Sequence, residues 1–239
     1  MSARLDPSDI RFRIAAARRM LARNGCESGV GGHVSARADD ASSFWVSPFE
    51  YFDETTPDRM IRVDFDLALL EGEREASPAI RFHAEIYRRR PDVGSVIHTH
   101  SPHALVLGTR GQPLGMFDSE AAVFFEEQAV FEETDAGIVS AERLGDALGG
   151  GRLLLLKNHG VVIASQTLEE ATVEAMMVER ASYTHLQAIQ IGGTEYATDA
   201  VRALKAGYRK HFVPQTWDAN LRRLRHSDPD LFDWVASSA

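Results

Sequence analysis

The apolar positions of the chain fall into short blocks of two different periods. Ile10, Ile14, Ala17 and Leu21 recur at three- and four-residue spacing after Pro7 and Ser8, and Asn24-Gly25 follows. That pattern predicts an amphipathic helix stopped by a glycine. GHVSAR at 32–37, FWVS at 44–47 and IRVDFD at 61–66 are short and rich in β-branched and aromatic residues, with polar turns between them. They predict strands. Residues 79–90 predict a helix that ends before Pro91, because a residue preceding proline is pushed out of the helical region. VGSVIHTH at 93–100 predicts a strand, and SPHALVLGT at 101–109 a helix with Pro102 in its first turn, where the missing N–H has no helical partner anyway. Farther on, SAERLGDALGG predicts a short helix, RLLLLKNHG a buried strand running into a turn, and VVIAS another strand. Thr167-Leu168-Glu169-Glu170 has the form of a capping box opening a helix to about Gln190. The remainder reads as mostly helical, with Trp217 and Trp234 anchoring the tail. With no repeat, low-complexity run or linker, residues 1–239 read as one α/β domain around an antiparallel or mixed sheet.

Composition narrows the function classes. Apolar residues make up 44% and charged residues 26%, enough to build a substantial core. A net charge of −9, with no stripe of Lys and Arg among aromatics, argues against nucleic acid and anionic membranes as partners. Cys26 is the sole cysteine, which excludes an internal disulfide and a thiolate zinc cluster. The first twenty residues lack the apolar core and cleavage site of a secretory signal, and no apolar stretch reaches membrane-spanning length. The expectation is a cytoplasmic protein.

The chemistry gathers around histidine. Side chains two apart on a strand share one face, so His98 and His100 project the same way, within reach of one metal ion. His159 ends a second apolar strand, and Gly160 lets the chain turn sharply after it. Three neutral imidazoles with open positions describe a catalytic metal site rather than a closed structural one. Spacing alone leaves the plainer alternative standing, in which each is a hydrogen-bonded histidine at a strand end.

GGHVSAR, HAEIYRRRPDVGSVIHTHSPHA and LLLLKNHGVVIA, in the family's order, resemble the class II aldolase/adducin family over nearly the whole sequence. The resemblance implies a three-layer α/β/α sandwich with a mixed, mostly antiparallel sheet. It also implies a divalent metal, manganese or zinc, on His98, His100 and His159, and a C4-type homotetramer with active sites between subunits. The departures from the pattern bear on activity. Sugar-phosphate aldolases of the family carry a catalytic Glu four residues before the His of the H-x-x-I-Y helix; here that His is His83 and the Glu position holds Ala79. The Asn of the family's G-N-x-S is His33, a phosphate-binding turn is Ser47–Glu50, and a Ser-Ser pair is Ser77-Pro78. Sugar-phosphate cleavage is therefore disfavoured. Two branches dispense with the Glu: adducin-like interaction modules, and metal-dependent decarboxylases of hydroxylated aromatic or pyridine carboxylates. Retention of the three histidines favours the decarboxylase, acting on a small-molecule carboxylate. A retro-aldol lyase for a non-phosphorylated substrate is the alternative, and the interaction module a further one.

Other residues carry two readings each. His103 donates the proton that decarboxylation requires, or lines a helix surface. Glu120 orients a ligand or is a surface charge. His33, Ser77 and Arg81 are the expected substrate contacts, against a buried polar residue, a turn residue and an exposed helix arginine. Asn158 is expected to fix the turn beside His159, and the basic run Tyr208–His211 either reaches a neighbouring subunit's site or is a solvated helix face.

Overall fold

The computed structural model describes residues 8–132 and 140–234, so Pro7, before the first expected helix, lies outside it. Eight strands form one sheet: β1 (His33–Arg37), β2 (Ser43–Val46), β3 (Ile61–Asp64), β4 (Leu69–Glu71), β5 (Ser95–Thr99), β6 (Gln128–Phe131), β7 (Leu153–Leu156) and β8 (Gly160–Ser165). Their order is β4-β3-β2-β1-β5-β8-β7-β6. Among the described strands β6 and β7 pair parallel and the other neighbours pair antiparallel. The helices are α1 (Ile10–Arg23), α2 (Arg81–Arg89), α3 (Pro102–Gly108), α4 (Ala141–Leu148), α5 (Leu168–Gln190), α6 (Thr198–Gly207), α7 (Val213–Ser227) and α8 (Pro229–Asp233).

Alternation of side chains divides the core in two. Val34, Ala36, Ile97, Leu153, Leu155, Val161 and Ile163 face the layer of α1, α3, α5 and the C-terminal helices. Phe44, Val46, Val63, Val96, Leu154, Leu156, Val162 and Ala164 face α2 and α4. The result is the expected α/β/α sandwich with a mixed, mostly antiparallel sheet. Two strands escaped the hydrophobic pattern, and both are sheet edges. Leu69–Glu71 is exposed throughout, and Gln128–Phe131 is only partly buried, so neither carries a period-two signal.

Local chemistry sets the element ends. α2 starts at Arg81 rather than 79, because Pro78–Ile80 winds as a 3-10 turn capped by Ser77, whose Oγ accepts from the Ala79 N–H at 3.3 Å. Thr167 caps α5 through the Glu170 N–H at 3.1 Å, but the Glu170 carboxylate pairs with Arg152 at 3.2 Å. Only half of the capping box therefore forms. Trp217 is buried on α7, which packs on α1 and α5, and the Trp234 ring lies 5.8 Å from the Arg11 guanidinium carbon.

Candidate metal centre

β5 delivers His98 to the α2 face of the sheet, with His33 opposite it on β1 and Val162 opposite it on β8. The His98 Nδ1 lies 2.9 Å from the Val161 carbonyl oxygen. A carbonyl only accepts, so Nδ1 carries the hydrogen and the Nε2 lone pair is left free. Nε2 of His100 is 3.0 Å from it. The third ring, His159, has its centroid 5.1 Å from that of His98 and 4.9 Å from that of His100. One nitrogen from each of the three lies within 4.8 Å of the others.

The turn that presents His159 has local causes. Asn158 takes a left-handed conformation, φ 60°, which asparagine tolerates, in accord with its expected turn role. A Cβ on Gly160 would stand 2.3 Å from the Thr99 carbonyl oxygen, so only glycine lets β8 start against the end of β5. The glycine-rich approach to β1 supports His100 from the other side. Ser28 Oγ accepts the His100 N–H at 2.5 Å, and a Cβ on Gly31 would touch the His100 ring at 3.4 Å.

Burial and mutual repulsion keep these imidazoles neutral. Burial pushes His98 well below its ordinary value, and His33 and His100 push it farther; burial also lowers His100 and His159. Neutral imidazole is the form that ligates metal, and His100 and His159 are only partly buried, which leaves one side of the triad open. The donor set thus fits a divalent ion with free coordination positions.

A second polar shell lies beneath. The His33 ring centroid is 5.7 Å from that of His98 and 5.5 Å from that of His83, with Phe82 over both. Among the described residues, both ring nitrogens of His33 and Nε2 of His83 are buried without a hydrogen-bond partner, while His83 Nδ1 meets Ser35 Oγ at 2.7 Å. Ser35 also bonds Tyr87 OH at 2.8 Å. Burial, followed by the charges of His83 and Arg18, depresses His33 strongly.

The other expected site residues lie at varying removes. Ser77 is buried at the head of α2, while Ala79 beside it is exposed. Arg81 is exposed, in a hollow with Phe65, Glu85 and Arg88. Glu120 makes a two-pronged pair with Arg180 at 2.7 and 2.8 Å, and His103 pairs with Glu179 at 2.6 Å. None of Arg81, Glu120 and His103 touches the three-histidine cluster. Ser47–Glu50 is occupied internally. The wholly buried Arg18 donates to Ser47 Oγ, to the Glu50 carbonyl at 2.7 Å and to Thr55 Oγ1 at 2.7 Å, with its guanidinium 4.2 Å over the Phe52 ring. Burial lowers Arg18 to about 10, so it remains charged at neutral pH. Arg18, Ser28 and Glu179 were not picked out by the sequence, where each stands in an ordinary helical or glycine-rich context.

Residues 12–186 match the description Class II Aldolase and Adducin N-terminal domain. The chain belongs to that family. Two relatives from Streptomyces are each 34% identical over 195 residues, or 78% of this chain. One is named 4-hydroxy-3-prenylphenylpyruvate oxygenase/4-hydroxy-3-prenylbenzoate synthase, from Streptomyces roseochromogenus subsp. oscitans, with 70% of its length covered. The other is Decarboxylase NovR from Streptomyces niveus, with 72% covered. The fold is shared with L-fuculose 1-phosphate aldolase from Glaciozyma antarctica PI12, at a TM-score of 0.84 and 21% identity over 94% of this chain and 91% of that one. Among the described residues no helix is long and apolar enough to cross a membrane.

Proposed function

We propose that the protein is a divalent-metal-dependent carbon–carbon lyase that decarboxylates a hydroxylated aromatic or pyridine carboxylate. One juxtaposition carries this reading: three neutral imidazoles converge on a partly open position, while an exposed alanine, Ala79, stands where the family's sugar-phosphate aldolases hold their proton-transferring Glu. The Streptomyces relatives support it, one through the name decarboxylase and the other through a name that sets its chemistry on a 4-hydroxylated aromatic ring.

Held by His98, His100 and His159, manganese or zinc would supply Lewis-acid chemistry to a substrate carrying adjacent oxygens. The chain's own groups do the rest. Val161 keeps His98 in the ligating tautomer. His33 and His83 offer buried, unpartnered ring nitrogens to substrate oxygens. The Ser77 hydroxyl, which among the described residues accepts from the Ala79 N–H and donates to none, would meet a carboxylate. Arg81 and Glu120 stand apart from the cluster and would act on a neighbouring copy's site in a cytoplasmic homotetramer. The reaction needs no base, only a proton returned to the ring carbon, which is assigned to His103.

The test is to assay metal-loaded protein against a panel of hydroxylated benzene and pyridine carboxylates beside fuculose, ribulose and rhamnulose phosphates. CO₂ release is expected from an acid whose hydroxyl adjoins the carboxylate, with little sugar-phosphate cleavage. Because one relative is named an oxygenase, the assay is run with and without oxygen, and release should not depend on it. Aldehyde formation from the sugar phosphates without CO₂ from any acid would overturn the reading in favour of an aldolase.

A further inference from the structure

The loop at residues 114–116 is pinned to its surroundings at every position. Gln128 bonds both backbone groups of Leu114, each at 2.8 Å. His185, buried on α5, accepts the Gly115 N–H with Nδ1 at 2.8 Å. Glu195 accepts the Met116 N–H with Oε2 at 2.7 Å, and the Met116 carbonyl accepts the Tyr196 N–H at 2.9 Å. The Phe117 ring centroid lies 4.9 Å from that of His185, and a Cβ on Gly115 would stand 2.6 Å from Phe117 and 3.1 Å from the imidazole. The histidine ring is therefore held in place. A backbone N–H only donates, so Nδ1 keeps the lone pair and a neutral ring carries its hydrogen on Nε2. Burial, followed by the Arg110 charge, lowers the proton affinity of His185 and keeps it neutral, with Glu195 opposing. Yet the group facing Nε2 is Nη1 of Arg110, at 2.7 Å. A guanidinium keeps its protons and offers no acceptor. Two N–H groups thus point at one another. Arg110 is exposed, pairs with no carboxylate among the described residues, and makes its other side-chain bond to Gln112 Oε1 at 2.8 Å.

We propose that Arg110 and the Nε2 hydrogen of His185 form a binding site for one small oxyanion, a carboxylate or a phosphate group. The mismatch itself carries the proposal: what two facing donors lack is an acceptor. An oxygen does not fit a 2.7 Å gap between nitrogens, so one side draws back to admit it. His185 is fixed by Gly115 and Phe117. Arg110 is exposed and tethered only to a neighbour two residues along, so it is the side that moves. As the guanidinium swings outward, the oxyanion accepts from Nε2 and from the guanidinium fork together, through charge-assisted bonds whose planar geometry suits carboxylate and phosphate. Water would satisfy the two donors but leave the arginine's charge without a counterpart. A cation finds only donors and a like charge there. The proposal uses none of the three metal-binding histidines and does not depend on the lyase reading.

The test follows melting of the intact metal-loaded protein in chloride, and in inorganic phosphate or acetate at the same ionic strength. An oxyanion that fills the site, at several times its dissociation constant, should raise the melting temperature by about 2–4 °C. A response to acetate alone assigns a carboxylate, and a response to phosphate alone a phosphate group. In Arg110→Gln, whose amide oxygen can accept the Nε2 hydrogen, the rise should vanish, and in chloride this variant should melt above the parent. Arg110→Lys should retain part of the rise. ¹⁵N NMR should show His185 as the Nε2–H tautomer, with its Nε2 signal moved by the oxyanion in the parent and unmoved in Arg110→Gln. Equal melting shifts in parent and Arg110→Gln would overturn the site, as would an Nδ1–H tautomer at His185. No response to either anion would overturn it too; if Arg110→Gln then weakens self-association in sedimentation, the acceptor is a carboxylate of a second copy of the chain.

Discussion

At the Gly160 end of β8, His98, His33 and His83 are as buried as the apolar core, yet three of their ring nitrogens have no hydrogen-bond partner among the described residues. At the Ser165 end, about 16 Å away along the strand, Glu174 is just as buried, but both its oxygens are engaged, one by Ser165 and one by Arg152 at 2.8 Å. Arg152 extends that network to Glu127, which also binds Arg209 and Lys205 from the C-terminal helices. The polar groups at this end pin α5 and the tail to the sheet. Those at the other end leave hydrogen-bonding capacity unused, at a cost of roughly 1–3 kcal/mol for each orphaned group. In the Glu174 network a single buried nitrogen, Arg209 Nε, goes without a hydrogen-bond partner among the described residues, against three in the histidine group.

The largest effect should come from the open end. His98→Ala is expected to weaken metal binding by at least about 10²-fold and to abolish activity; full metal occupancy in that variant, measured by elemental analysis, would remove the site. Next is the closed end: Glu174→Ala should cost about 3 kcal/mol in denaturant unfolding and leave metal content untouched, since it acts only on the network. The sign should reverse at His33. His33→Leu should raise stability by about 1 kcal/mol, because it removes two orphaned nitrogens, while lowering turnover; destabilisation would mean that His33 has a partner. The smallest effect is on acid stability. Partial burial pushes Glu127 up, but hydrogen bonds from Arg209 and Lys205 outweigh it and hold the carboxyl at about 2. A depressed carboxyl stabilises above its unfolded value, and that contribution fades as pH falls from about 4.5 toward 2. Thermal melts at pH 6 and pH 3 should therefore converge for Glu127→Gln relative to the parent.

Much of this was legible in one dimension. The period of Ile10, Ile14, Ala17 and Leu21 specified α1, and the apolar runs before His98 and His159 specified β5 and β7, because a buried face must recur at the pitch of its element. The H-x-H spacing put two imidazoles on one face, and Gly160 marked the turn that brings a third to them. Edge strands β4 and β6 were illegible, since a strand half in water needs no apolar alternation. Which histidine lies opposite His98 was decided by the β1–β5 register, which sets His33 against it. That His103 meets Glu179 was decided by the packing of α3 on α5, seventy-six residues apart in sequence. Sequence pattern reports how each segment meets water. Pairing of polar groups between segments depends on register and helix packing, which exist only once the chain has closed on itself.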